Sequence, residues 1–267
     1  MSTALQQRLQ RWRSKEQTAL DDQSKRLNAT SDHRAVQQKA DALLCLPHPS
    51  RDQVEEAQKL YQKARKLRRS VPLLQDRINH HQQRLQLIDG SETFIDDQLK
   101  AAWEDCAPRL QALAELRDEL DELLQAKERG RGKRQKREQN PKPLEVTTDN
   151  GMVVQVGRNH RQNDWISLRQ ARQGDLWFHA QECPGSHVVL KSSNGLAVEA
   201  DLELATDLAA YFSRARANNR VPVVMVPTDQ LQRLPGAGPG TVRHGPAELR
   251  WGRPDHAELR LHASSLG

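Results

Sequence analysis

Three side chains able to hold a metal, His179, Cys183 and His187, recur every four residues. On one helix that spacing would put all three on a single face. Pro184-Gly185 interrupts any such helix and no clear fourth ligand accompanies them, so a metal-dependent nucleic-acid enzyme is the lesser reading. The same stretch carries groups suited to RNA. Trp177 and His179 share one face of a strand and Phe178 takes the other. If the Trp177–His179 face is open it can stack unpaired bases; if it is closed, Trp177 is core. Gly185 in a tight turn lets backbone N–H groups approach a phosphate, which Ser186 and His187 can bond and Lys191 can neutralise. Upstream, the planar guanidinium of Arg158 suits a phosphate or a base edge. Asn159 and Asn163 offer paired donors and acceptors, and Asp164 can fix them or accept from a base amine. Loop capping is the competing role for Asn163 and Asp164. No GxxxxGK[ST] phosphate loop and no nucleophile–His–acid set is recognisable, so no catalytic residue, resident metal or cofactor is expected.

The elements that position these groups follow from hairpin and periodicity patterns. Leu144 to Thr148 and Met152 to Val156 flank Asn150-Gly151, a pair that meets the positive-φ demand of a tight hairpin turn. A polar, partly helical stretch runs from Gly157 to Arg172. Asp175–Ala180, Ser186–Lys191 and Val221–Val226 read as strands, and residues 198–217 as a helix. A Gly/Pro loop at 235–240 leads to further short strands. Runs of strands with one main helix indicate an α+β domain over residues 144–267.

Residues 1–128 read differently. Leu60, Ala64, Leu67, Val71, Leu74, Ile78, His81, Leu85 and Ile88 step by four and three, one helical seam with His81 as its polar intruder. Asp89-Gly90-Ser91 supplies turn chemistry. A second seam follows at Leu99, Trp103, Cys106, Leu110, Leu113, Leu116, Leu120 and Leu123. The two predict an antiparallel helical hairpin, bent locally at Pro72 and Pro108. From Asp52 to Ile88 such a helix extends roughly 55 Å at 1.5 Å per residue. The segment from Ala4 to Leu44 is helical with an interrupted seam and stops before Pro47 and Pro49. Residues 129–143 form a basic flexible linker. The fold class is therefore α+β: a long antiparallel helical coiled-coil arm followed by a small mixed α+β domain.

Charge falls on the arm and linker. The chain of 267 residues is 28% charged and carries +6, five of those six net charges within residues 1–140. Lys59, Lys63, Arg65, Lys66, Arg68 and Arg69 cluster within three helical turns. Lys133, Arg134, Lys136 and Arg137 lie in the linker as auxiliary phosphate contacts. A solvated face is the alternative for the first cluster. With 36% hydrophobic and 4% aromatic residues, one large core is not expected. Three widely spaced cysteines argue against a disulfide framework and for a reducing compartment, and with no apolar run long enough for a signal or a span, a cytoplasmic chain without membrane contact is expected.

Several segments together resemble the RNA-binding domain of the NFACT family. They are Val156-Gly-Arg-Asn159, Asn163-Asp164, Gly174-Asp-Leu-Trp-Phe-His-Ala180, Pro184-Gly-Ser-His-Val-Val189, Leu208 to Arg216, Val221-Pro-Val and Pro235 to Val242. Residues 57–66 are similar to the start of the family's middle coiled coil. The family's large amino-terminal module and helix-hairpin-helix region have no counterpart here, and Cys183 stands where relatives are aliphatic. The resemblance implies ribosome-associated quality control: binding stalled large ribosomal subunits (rRNA and stalk-base proteins) and helping recruit tRNA for template-free alanine tailing. A truncated RNA-binding adapter without tailing activity is the alternative, and a separate amino-terminal NFACT module is a further partner. An adhesive role, following an older fibronectin-binding name in the family, ranks last.

Overall fold

A computed structural model describes residues 2–30, 32–100, 106–125, 141–234 and 237–265. Four helices come first: α1 (Ser2–Asn28), α2 (His33–Leu44), α3 (Arg51–Lys100) and α4 (Cys106–Gln125). Asp32 caps α2 by accepting from the Arg34 N–H, and α2 stops at Leu44, just before the X-Pro pair. α3 runs through Pro72 without interruption. It also runs through Asp89-Gly90-Ser91, where the sequence predicts a turn. Gly90 is buried there, and a Cβ on it would come within 2.7 Å of the His160 ring. The Ser91 hydroxyl donates to the Leu87 carbonyl and the Thr93 hydroxyl to that of Asp89, so both polar groups are absorbed within the helix. The glycine thus permits a close approach, not a turn. The basic linker expected at 129–143, with Lys133, Arg134, Lys136 and Arg137, lies almost wholly outside the described residues.

Two compact units make up the chain, one from Gln10 to Leu85, the other from Met1 to Leu9 and Gln86 to Gly267. In the first, the polar intruder His81 has a partner. Its Nδ1 lies 2.7 Å from the buried Glu16 carboxylate, which also accepts from Arg84 at 2.7 Å and from the Trp12 indole at 3.2 Å. Arg84 in turn lies over the Trp12 ring. Burial pushes the Glu16 carboxyl up, but His81 and Arg84 outweigh it and hold it below its ordinary value. Along the same helix, Lys59, Lys63, Arg65, Lys66, Arg68 and Arg69 are all exposed.

In the second unit, the end of α3 and the whole of α4 belong with the α+β domain, although the sequence reads them as arm. That domain contains β1 (Leu144–Thr147), β2 (Val153–Val156), α5 (His160–Leu168), β3 (Leu176–Ala180), β4 (Val188–Leu190), α6 (Glu199–Tyr211), β5 (Val221–Pro227), β6 (Gln232–Arg233), β7 (Val242–Arg243), β8 (Glu248–Gly252) and α7 (Pro254–Ser265). The six-stranded antiparallel sheet has the order β1-β2-β4-β3-β5-β8, with β6-β7 as a separate ribbon. The Asn150-Gly151 hairpin forms with Gly151 at φ +77° and Thr147 opposite Val153. α6 ends at Tyr211, short of the expected Ala217, because Ser213 turns back to bridge Gly185. α7 has a sequence cue that the periodicity reading missed, Pro254 at its first position.

Strand alternation gives the sheet two faces. Phe178, Val188, Leu190, Val154, Val156, Val221 and Val223 face α6 and α7 and form the main core. Trp177, Val189, Val224 and Val226 face the other way, covered by Ile166 of α5 and by Leu231.

Where α4 meets α5, Glu119 is fully buried beside the first-turn N–H groups of His160 and Arg161 without a well-formed hydrogen bond to either. Burial pushes its carboxyl up to about 8, against the pull of Arg161. The folded chain therefore holds this proton where the unfolded chain, at about 4.5, releases it. Its stabilising share is complete below about pH 4.5 and is lost as pH rises through about 8. Glu119→Gln should come close to the parent's urea stability at pH 5 and exceed it at pH 9 by on the order of 5 kcal/mol, a tenfold change in proton affinity being worth about 1.4. An equal gap at both pH values would show that Glu119 is not the protonated group.

Candidate nucleic-acid interface

The first helical turn of α5 and the β3–β4 hairpin collect most of the residues that the sequence marks for RNA contact. They are brought together, but largely turned inward. Asn159 is the N-cap of α5, its Oδ1 accepting from the Gln162 N–H at 2.8 Å. Asn163 is buried and its Oδ1 accepts from the His187 N–H at 3.0 Å. Asp164 pairs with Arg233 at 2.6 Å and lies 3.5 Å from the Gly240 N–H. Arg158 is mostly buried near Glu115, and burial lowers its pKa. These four serve capping and packing, because the loop before α5 must satisfy its own backbone before it can offer groups outward.

The Pro184-Gly185-Ser186 turn is likewise engaged. The Ser186 N–H donates to the Phe212 carbonyl at 2.8 Å, and a Cβ on Gly185 would meet that same carbonyl at 3.0 Å. Its glycine serves strand-to-strand contact where a phosphate cradle was expected. Ser186 is buried, with no hydrogen-bond partner for its hydroxyl among the described residues. Lys191 is bound to the buried Asp175 carboxylate and donates to the Gln170 carbonyl at 3.2 Å, so its charge is spent inside the fold.

Trp177 and His179 do share a face, with parallel rings 5.5 Å apart. The open platform is not there at Trp177, which is 2% exposed and packs with Ile166, Val189, Val224 and Leu231. His187 is also buried. It meets both rings edge-on and shares a 2.8 Å hydrogen bond with the Ser167 hydroxyl. His179 remains partly exposed, and His244 stands exposed 5.9 Å from the Trp177 ring. Burial drives His179 down to about 4 and His187 well below its usual range, so both are neutral at pH 7. No group of three His, Cys, Asp or Glu side chains among the described residues is arranged to hold a metal. Cys183 has its thiol directed at the Pro184 carbonyl instead.

The comparisons with known proteins bear on this domain and on the helix before it. A family model described as the NFACT protein RNA binding domain matches residues 142–244, and one described as the NFACT N-terminal and middle domains matches residues 47–139. The chain belongs to the NFACT family. Among curated NFACT proteins, the Rqc2 homolog RqcH of Streptococcus suis is 33% identical over 190 residues, 71% of this chain and 32% of its own length. The Rqc2 homolog RqcH of Bacillus subtilis is 30% identical over 210 residues, 78% of this chain and 35% of its own length. This NFACT chain thus spans about a third of the curated relatives it matches. A solved structure titled as the C-terminal of the fibronectin/fibrinogen-binding protein from Streptococcus suis superposes with a TM-score of 0.76 at 28% identity, covering 97% of this chain and 96% of that one.

What the sequence reading of this NFACT chain missed lies just beyond the matched residues, on β8. Leu249 is 50% exposed and Trp251 58% exposed, on the Trp177 side of the sheet. The alternation in Glu248-Leu-Arg-Trp-Gly252 was the available cue. Among the described residues, no helix is long and apolar enough to cross a membrane.

Proposed function

We propose that this chain is an RNA-binding adapter of ribosome-associated quality control. In this reading it engages the large ribosomal subunit, through rRNA and stalk-base proteins, and helps recruit tRNA for template-free alanine tailing. An amino-terminal NFACT module is a further partner in this reading. The observation that carries the reading is the RNA-binding family match across residues 142–244, continuous over β1 to β7. The exposed cations of α3 support it: none of Lys59, Lys63, Arg65, Lys66, Arg68 and Arg69 forms an ion pair among the described residues, which leaves their charge for phosphates. Proteins that act this way draw affinity from cations and need no reacting group.

The test is co-sedimentation with large ribosomal subunits, together with tRNA affinity across a salt series. Replacing the six α3 cations by glutamine should weaken binding to tRNA and to an unrelated RNA alike. Each phosphate that is no longer neutralised should flatten the log–log salt slope by roughly 0.7–0.9. Absence of RNA binding at low salt, or RNA cleavage that chelators abolish, would replace the reading with another.

A further inference from the structure

The uncovered half of the Trp177 face has a layout that the RNA-binding reading does not explain by itself. Trp251 lies opposite Pro222, and Leu249 opposite Val224, which in turn lies opposite His179. All five are on one face by strand alternation. α5 and Leu231 cover the face over Trp177 but leave Leu249 and Trp251 exposed at the β8 edge. Exposed tryptophan beside exposed leucine on an edge strand is a cost that a solvated surface does not explain.

Charge next to the indole names the partner. Arg220 is exposed two residues before Pro222, and continuing the β5–β8 register sets Arg253 opposite it. Both line one groove with Trp251, and neither forms an ion pair among the described residues. Two of the groove's carboxylates are engaged: Glu248 pairs with Arg250, and Asp207 accepts from the Arg253 N–H. Glu203 lines the groove as well, so three arginines meet three carboxylates there, and Arg220 and Arg253 are the two guanidinium groups without an ion pair among the described residues. Two such groups beside an open indole suit a phosphate next to a base.

We propose that this face binds unpaired RNA bases, one stacking on Trp251 and another at His179, with Arg220 and Arg253 on the adjoining phosphates. The proposal rests on the RNA-binding reading and gives it a site. Strand spacing puts the two ring positions roughly 10–12 Å apart, within the stretch of a short extended strand. Bases paired in a duplex keep their faces stacked on one another, so the site selects single strands. Gln181, exposed and beside Pro222, offers an amide to a base edge.

The experiment measures binding of a short unstructured oligoadenylate, and of a duplex of equal length, to the full chain. Trp251→Ala should weaken oligoadenylate binding roughly 5- to 100-fold with an unchanged melting temperature, while Trp251→Phe stays within a few-fold of the parent. Arg220→Gln should reduce the salt dependence. The duplex should be affected little by either tryptophan variant. If the parent binds oligoadenylate and a folded Trp251→Ala binds it equally well, the platform is wrong while the RNA reading stands. If the parent binds no RNA at all, both fail. If Trp251→Ala instead turns a self-associating chain monomeric in sedimentation and leaves RNA affinity alone, the face is a protein interface and the proposal is overturned.

Discussion

Trp177→Ala should destabilise the α+β domain by about 3–5 kcal/mol, the range for truncating a large buried aromatic side chain. The indole is 2% exposed and fills the space between α5 and the sheet, against Ile166, Val189, Val224 and Leu231. It also supports the stacked His179 ring and meets His187 edge-on, so its loss opens a void that three strands and a helix border. Its Nε1 is buried without a hydrogen-bond partner among the described residues. Trp177→Phe therefore discards an unsatisfied donor along with some volume, and should cost far less than the alanine variant. Urea midpoints of parent, Phe and Ala chains check both statements. An alanine variant as stable as the parent that no longer binds RNA would identify Trp177 as an open stacking group instead.

Lys191→Met should cost a similar amount, about 3–5 kcal/mol, because it strands a buried charge. Asp175 is fully buried. Its carboxylate takes the Lys191 ammonium, the Arg172 N–H at 2.9 Å and the Ser193 N–H at 3.1 Å. Burial alone would raise its pKa, but Lys191 and the Ser193 and Arg172 donors outweigh that and hold it below the ordinary value. A carboxyl with a depressed folded pKa contributes stability that is present above its unfolded pKa, about 4, and is lost as pH falls through the folded value. The parent should gain this share between acid and neutral pH, and Lys191→Met should not. Lys191→Met combined with Asp175→Asn should recover much of the loss, since no charge is then left buried. If the double variant is no better than the single one, the pair is not what fixes this corner of the sheet.

His160, His179 and His187 act in the opposite pH direction from Glu119. The folded pKa values of His160 and His179 lie near 4, below the ordinary 6.5, so the unfolded chain takes up protons first as pH falls. Their share of stability is whole above about 6.5 and drains away toward about 4. Glu119 drains its share as pH rises toward about 8. Buried imidazoles and a buried carboxyl thus bracket the stable range from both sides.

The sequence alone determined the kinds of element and the family. Asn150-Gly151 specified the hairpin because few residue pairs accept its turn, and short apolar runs marked β3, β4 and β5, of which β4 is buried on both faces. The Leu60–Ile88 seam marked α3 because a helix can bury only one stripe. Tertiary structure decided what each polar residue does. Gly90 looked like a turn but admits the His160 ring, and Lys191 looked like a phosphate ligand but neutralises Asp175, a partner 16 positions away. Asn159, Asn163 and Ser186 carry the same donors and acceptors whether they face RNA or their own backbone. Only the packing of α5 on the sheet fixes which. Trp177 and Trp251 are the same residue type on the same sheet face, and coverage alone separates them: α5 and Leu231 lie over one, while nothing among the described residues lies over the other. Burial is set by what distant segments bring to a surface, and no local spacing encodes it.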